Sequence, residues 1–310
     1  MLEVMFQVLP FFAVIGVGYG AARSGFFSPE ATVAVTRFVF YFALSAMLFR
    51  FSANLTLSEV WDWDFIFAYL LACTVVYAVA VAVALIRKRG AQEAAVEAQC
   101  AIIGNTGFLG IPMLAILLGD ESVGYNMLVL AVDLVVFASI IVIVITGVRD
   151  GRLAPGVLVT VGRGLLANPM IMAIGLGFTV SGLGLTIPAP VNGFLVLLGN
   201  AATPGALFAI GASLADKSAE RIAVAGWLSF LKLFAHPAAV AIAALWIFEV
   251  DPYPAAVMIA ASALPVAGNI YILAQHYGVA AKRVSAAIFV STAVSVITVP
   301  IVIAWVLQLE

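Results

Sequence analysis

Few residues in this chain could do chemistry, and they cluster. The stretch Gly104-Asn105-Thr106-Gly107-Phe108-Leu109-Gly110-Ile111-Pro112 sets an amide, a hydroxyl, three glycines and a proline inside a long apolar run. A second window, Leu264 to Tyr271, carries Pro265, Gly268 and Asn269 in a similar setting. Proline removes a backbone donor and clashes with the preceding turn, and glycine permits the dihedrals that a break needs. The amides, the hydroxyl and the freed main-chain groups could together hold a polar ligand. Outside these windows Asp133, Lys232 and His236 each stand deep in apolar sequence. Such residues can bind a proton, a cation or an anionic group, but no HExxH or GxSxG pattern accompanies them, so an intramembrane enzyme is not expected. Cys73 and Cys100 both fall in apolar runs, which argues against a structural disulfide. Widely separated histidines without spaced carboxylates or thiols make no zinc site.

These residues have to be positioned by membrane helices. The chain has 310 residues, 65% hydrophobic and only 10% charged. A soluble protein carries about a quarter charged residues, so the bilayer is the main solvent here. A span takes about 20 apolar residues. That ruler finds ten candidates, near 4–22, 31–49, 64–86, 95–118, 123–146, 165–183, 191–214, 223–247, 254–276 and 284–307. No stretch between them is long enough for a soluble domain. No cleavable signal is evident, since Glu3 rather than a basic head precedes the first span.

Basic residues mark cytoplasmic loops. Arg23 lies in the first loop, Arg87, Lys88 and Arg89 in the third, and Arg149, Arg152 and Arg163 in the fifth. Lys217 and Arg221 lie in the seventh, Lys282 and Arg283 in the ninth. The even loops carry acids instead: Glu59 and Asp62, Asp120 and Glu121, Glu249 and Asp251. Arg50 is the exception. The alternation puts odd loops inside and both termini on the extracytoplasmic side of what is expected to be a bacterial inner membrane.

Shifting the sequence by 159 residues brings its halves into partial register. Pro10, Ile15, Gly16 and Gly18 fall on Pro169, Ile174, Gly175 and Gly177, while Leu48 and Phe49 fall on Leu207 and Phe208. The chain therefore reads as two repeats, 1–150 and 160–310. Each holds five spans, an odd number, so the second is inverted. Inverted repeats are characteristic of secondary transporters. Under the same shift Asn105 to Pro112 falls on Leu264 to Tyr271, so spans four and nine break at matching depth. Freed backbone at that depth is tolerated only against protein or a wet cavity. Half-helix N-termini aimed there favour an anionic group. The competing reading is that these residues are simple kinks or packing contacts.

Asp133 sits in mid-span, where a carboxylate costs roughly 2.5–3.5 kcal/mol on insertion scales. It either lines the cavity and takes up a proton or cation, or is a hydrogen-bonded structural acid. Lys232 either pairs with Asp133 or a substrate carboxylate, or anchors backbone carbonyls and snorkels. His236, one turn on and before Pro237, reads as a packed kink residue.

The NTGFLGIP motif, with Asn105, Gly110 and Pro112 at its fixed places, resembles the signature of the auxin efflux carrier family, which includes bacterial carriers and the plant PIN auxin exporters. Asn168-Pro169, the run from Pro204 to Leu214, Lys232 with His236-Pro237, and the run from Ala263 to Val279 also look like this family. The resemblance covers essentially all ten spans. It implies an all-α membrane protein of ten transmembrane helices, built as two inverted five-helix repeats with broken helices four and nine crossing. It also implies a transport core of spans 3–5 and 8–10 moving against a scaffold of spans 1, 2, 6 and 7, and organic-anion substrates such as indole-3-acetate and malonate. Two departures stand out: family members often have proline at Ser45, and the plant exporters have a second proline at Ile270.

The expected function is a secondary active transporter of small organic anions, working by elevator-type alternating access. Substrate-binding residues are Asn105, Thr106, Gly107, Gly268 and Asn269. Gly110, Pro112 and Pro265 shape the breaks, and Asp133 and Lys232 are coupling or charge partners. The alternatives are a sodium-coupled symporter of the bile acid type, with sodium near Asn105 and Asp133, or a passive channel or receptor. Coupling to a proton or to sodium stays open. No cofactor and no nucleic-acid partner is expected, while the bilayer and a second copy of the chain, as a homodimer, are.

Overall fold

A computed structural model describes residues 2–55, 61–150, 156–215 and 222–309. Among the described residues the chain is helical, without a strand. Its helices are α1 (Leu2–Arg23), α2 (Pro29–Ala53), α3 (Trp63–Ile86), α4 (Ala91–Ile102), α5 (Thr106–Leu118), α6 (Ser122–Ile145) and α7 (Gly156–Leu166). They continue with α8 (Pro169–Gly182), α9 (Ala189–Ala215), α10 (Ala223–Ile247), α11 (Pro252–Ser262), α12 (Asn269–Tyr277) and α13 (Ala281–Val306).

Seven of these, α1, α2, α3, α6, α9, α10 and α13, are long and apolar enough to cross a membrane. The other three apolar stretches are built differently. Those near 95–118 and 254–276 are each interrupted, as α4–α5 and α11–α12, and that near 165–183 is the shorter α8.

Local chemistry sets several helix starts. Asn168 accepts from Met170 N at 3.0 Å, ahead of Pro169. Ser28 accepts from Ala31 N at 3.2 Å, ahead of Pro29. An amide or hydroxyl at the cap satisfies an orphan N–H, and proline at the first position has none to lose. Asp62 caps α3 through Asp64 N at 2.8 Å.

The helices pack in two sets. In the first, α1 lies along α9, and α8 and α9 pack on α2. In the second, α3, α4, α6, α10, α11 and α13 pack on one another around the two interruptions. Lipid offers no hydrophobic drive between helices, so close approach depends on small residues. The first set shows this plainly. A Cβ on Gly18 would stand 2.1 Å from the Phe208 carbonyl oxygen, and one on Gly211 would stand 1.9 Å from that of Ile15. A Cβ on Gly177 would stand 2.0 Å from Ser52 Oγ and 2.6 Å from the Phe49 carbonyl oxygen.

Two loop charges need comment. Arg283 is not a free loop cation: it starts α13, is largely buried, and bonds Glu97 at 2.6 Å and Glu93 at 2.7 Å. Arg87 holds the other oxygen of Glu97. Glu59, Arg152, Lys217 and Arg221 lie outside the described residues.

Gly211→Ala should lower the thermal midpoint in detergent by the equivalent of about 1–3 kcal/mol, the usual cost of overpacking. Gly16→Ala, with nothing within 4 Å of the added carbon, should leave it unchanged. Equal midpoints for the two variants would refute the backbone-contact reading.

Candidate functional site

The interruptions of α4–α5 and α11–α12 face each other. Gly104 and Val266 form an antiparallel bridge. Asn105 N donates to the Pro265 carbonyl at 2.9 Å, and Ala267 N donates to the Ile103 carbonyl at 3.1 Å. Each unwound segment thereby satisfies the other's main chain, which nothing else at this depth could do cheaply. Val266 N is taken by Ser291 Oγ of α13 at 3.1 Å. The bridged residues stand 162 apart, three residues off the 159 register that relates Gly18 to Gly177.

Past the bridge, each segment turns directly into a helix. Thr106 begins α5 with a π turn, Thr106–Gly110, and Asn269 begins α12. The first turn of a helix leaves N–H groups without intrahelical acceptors and carries partial positive charge. A cavity lies between these two starts, lined by Asn105, Thr106, Gly107, Gly268, Asn269 and Asp133, with Leu130, Leu134, Phe108 and Met170 as its apolar wall. The cavity is small, with room for about one water.

All five residues expected to bind substrate line this cavity, and Asp133 joins them from α6. Its Oδ1 accepts from the Tyr69 hydroxyl at 2.9 Å, while its Oδ2 has no partner. Asn269 Oδ1 is likewise buried and unpaired. The cavity thus offers donors from two helix starts beside two buried oxygens that have no hydrogen-bond partner.

The break residues take different places. Gly110 lies behind the cavity, where a Cβ would come within 2.6 Å of Leu264 and 3.1 Å of Asn126 Nδ2. Asn126 Nδ2 in turn donates to the Thr106 carbonyl at 3.3 Å. Pro112 sits in the first turn of the α-helical part of α5, Ile111–Leu118. The unwinding itself falls upstream, at 103–105.

Lys232 is not part of the cavity wall, and no ion pair joins it to Asp133 among the described residues. It is fully buried, its Nζ donates to the Ser262 carbonyl at the end of α11, and it lies 3.2 Å from His236 Nδ1. The contact that Lys232 makes here is thus with a backbone carbonyl. His236 also touches Cys73, whose sulfur is 3.2 Å from Nε2. Tyr69 is not among the residues that the sequence points to, and Cys73 enters there only as a cysteine without a disulfide, yet their spacing matches that of Lys232 and His236. Two pairs of functional side chains four apart, each in an otherwise apolar helix, are the signal that could have found them. Asp133 and Lys232 both sit in π turns, Asp133–Phe137 and Leu231–Ala235, an irregularity frequent at functional sites.

The profile of a family described as membrane transport protein matches residues 3–303. A protein of Rhizobium meliloti (strain 1021), provisionally named a malonate transporter, is 29% identical over 302 residues, covering 96% of this chain and 94% of the relative. YfdV of Escherichia coli (strain K12), named an uncharacterized transporter, is 28% identical over 303 residues, covering 95% of each.

Replacing Lys232 by Met should remove the buried donor of the Ser262 carbonyl and destabilise the protein by about 1–3 kcal/mol, read as a lower thermal midpoint without any substrate. A midpoint equal to wild type would show that Lys232 does not anchor the second break.

Proposed function

The chain belongs to the membrane transport protein family, and on that premise we propose that it is a secondary transporter of small organic anions working by alternating access. The observation that carries this reading is the cavity into which two helix starts open across a shared main-chain bridge. Two positive helix ends favour a carboxylate between them. The side chains of Asn105, Thr106 and Asn269 add amide and hydroxyl donors, and the apolar wall accepts a carbon skeleton. A carboxylate of the malonate or indole-acetate kind fits that chemistry, and the provisional name of the Rhizobium relative points the same way.

In this conformation the cavity has room for about one water, too little for a carboxylate. Substrate therefore enters when the two helix sets shift against each other. We take the set of α1, α2, α8 and α9 as the scaffold, and α3–α6 with α10–α13 as the core that carries the cavity. This elevator-type division is supported by both breaks lying in one set. Ten spans in two inverted repeats, 1–150 and 160–310, complete the reading. Its support is a reciprocal contact: Gly18 packs on Phe208 while Gly177 packs on Phe49, and both residue pairs are related by 159 positions. Basic Arg87 and Arg89 at one end, against Asp62 and Asp120 at the other, support a reading with both termini outside an inner membrane.

Asp133 fits a coupling role. An ionised carboxylate would repel the anion that the helix starts attract, so substrate binding calls for its charge to be neutralised.

Asn105→Ala should reduce uptake of malonate or indole-3-acetate into proteoliposomes by about 10- to 100-fold, the equivalent of 1.5–3 kcal/mol for a hydrogen bond to a charged group, with an unchanged thermal midpoint. A thermal-shift screen of carboxylates, with and without sodium and across pH, identifies the substrate and the coupling ion. Wild-type uptake by the Asn105 variant would remove this cavity as the binding site.

A further inference from the structure

The cavity has two unlike sides. Its polar members, Asn105, Thr106, Asn269 and Asp133, all come from the core, as do both helix starts. Among the described residues the whole lining is core with one exception, Met170 at the start of the scaffold helix α8. Met170 is buried, and a Cβ on Gly107 would stand 3.6 Å from its Sδ and 3.8 Å from Leu44 Cδ2 of α2. Beside them Phe108 of the core stacks on Phe40 of α2, with ring centroids 6.3 Å apart. The core thus presents polar groups, and the scaffold meets them with hydrocarbon and a thioether.

Polar groups on the scaffold side are already engaged. The start of α8 reaches the cavity, but Pro169 has no N–H, and Met170 N is held by Asn168 Oδ1 at 3.0 Å. On α2 the Ser45 hydroxyl donates to the Phe40 carbonyl at 3.1 Å, and that of Ser52 to the Leu48 carbonyl at 2.8 Å. Val39, Leu44 and Met47 of α2, with Ile174 of α8, join Leu130 and Leu134 of the core in one apolar cluster. A core that slides along this face keeps hydrocarbon opposite its polar groups. No lysine or arginine lines the cavity among the described residues, and Lys232 is held by the Ser262 carbonyl behind it. A carboxylate taken out of water needs donors or a counter-charge. This site supplies them on one side.

We infer that the cargo is an organic acid with a single carboxylate and an apolar end, its carboxylate held at the two breaks and its apolar end seated on Met170. The inference rests on the anion-carrier reading above and narrows it, to acids of the indole-acetate rather than the malonate kind. Met170 is then a specificity-determining residue. A diacid has to set its second carboxylate against Met170 and Leu134, stripped of water and without a donor. A methyl group, a methylene chain or a ring in the same place gains by leaving water. Because Met170 belongs to the scaffold, it tests the apolar end of the cargo while the core holds the charged end.

Acids matched in chain length separate the two classes. Propanoate and malonate, butanoate and succinate, and hexanoate and adipate differ in whether a methyl or a carboxylate ends the chain. In calorimetric titrations of the purified protein, and in uptake into proteoliposomes, each monoacid should be favoured over its diacid by at least about 10-fold, the loss expected when a charged group lacks its hydrogen bonds. Diacids bound and moved as well as their partners overturn the inference and leave the carrier reading standing. If the wild type binds and moves neither class, both fall. Met170→Gln keeps the size of the side chain and adds an amide donor, so it should narrow the preference to under about 3-fold. Met170→Leu, which adds no donor, should keep it. Met170→Ala is the second probe: the room it opens should raise affinity for hexanoate relative to butanoate. A preference unchanged in Met170→Gln, or a chain-length ratio unchanged in Met170→Ala, overturns the role of Met170.

Discussion

Breaking a helix inside a membrane leaves N–H and C=O groups that no water can reach. Here the two breaks answer each other: Asn105 N binds the Pro265 carbonyl and Ala267 N binds the Ile103 carbonyl. Everything in the site follows from that exchange. It brings the starts of α5 and α12 to one cavity, it places Thr106 and Gly268 two residues beyond the bridge on their own segments, and it lets Asp133 of α6 reach the same space. Without the exchange each break would be a cost; with it, the pair becomes a platform. Lys232 and Ser291 then hold that platform from behind, one through the Ser262 carbonyl and the other through Val266 N.

Much of this was legible in the residues. Apolar stretches found by length alone all coincide with helices, and glycine, proline and asparagine in two of them marked where helices would be interrupted. The contacts of Gly18 with Phe208 and of Gly177 with Phe49 fall on residues that the 159-residue offset relates, but the offset does not say which residues touch. What failed to show was register. Proline at 112 suggested a break there, but proline is tolerated in the first turn of a helix, and the chain uses it to start the α-helical part of α5 after unwinding at 103–105. Equivalence by sequence offset is also blind to main-chain pairing, which aligned Gly104 with Val266 at a different spacing.

Buried charge was the harder part to read. From the sequence alone Arg283 belongs with the loop cations, since nothing there says that Glu97 and Glu93 of α4 will turn toward it. Lys232 was undecided for the same reason: a lone cation in an apolar helix has many conceivable partners, and tertiary packing picks one. The picked partner, a carbonyl at the end of α11, makes Lys232 a support of the site rather than a wall of it. The places of Tyr69 and Cys73 could not be read, because each is ordinary in an apolar helix until His236 and Asp133 are brought against them.

The bridge between the breaks is made of main chain alone, and this has an evolutionary consequence. Side chains at 105–107 and 268–269 can be exchanged without disturbing the hydrogen bonds that hold the segments together. On the proposed reading, descendants of one ancestral carrier can therefore diverge in cargo at a handful of wall positions, while the positions that forbid a Cβ, such as Gly18 and Gly211, should vary little. Diversification of such proteins should be concentrated on the cavity wall and nearly absent from the helix crossings that frame it.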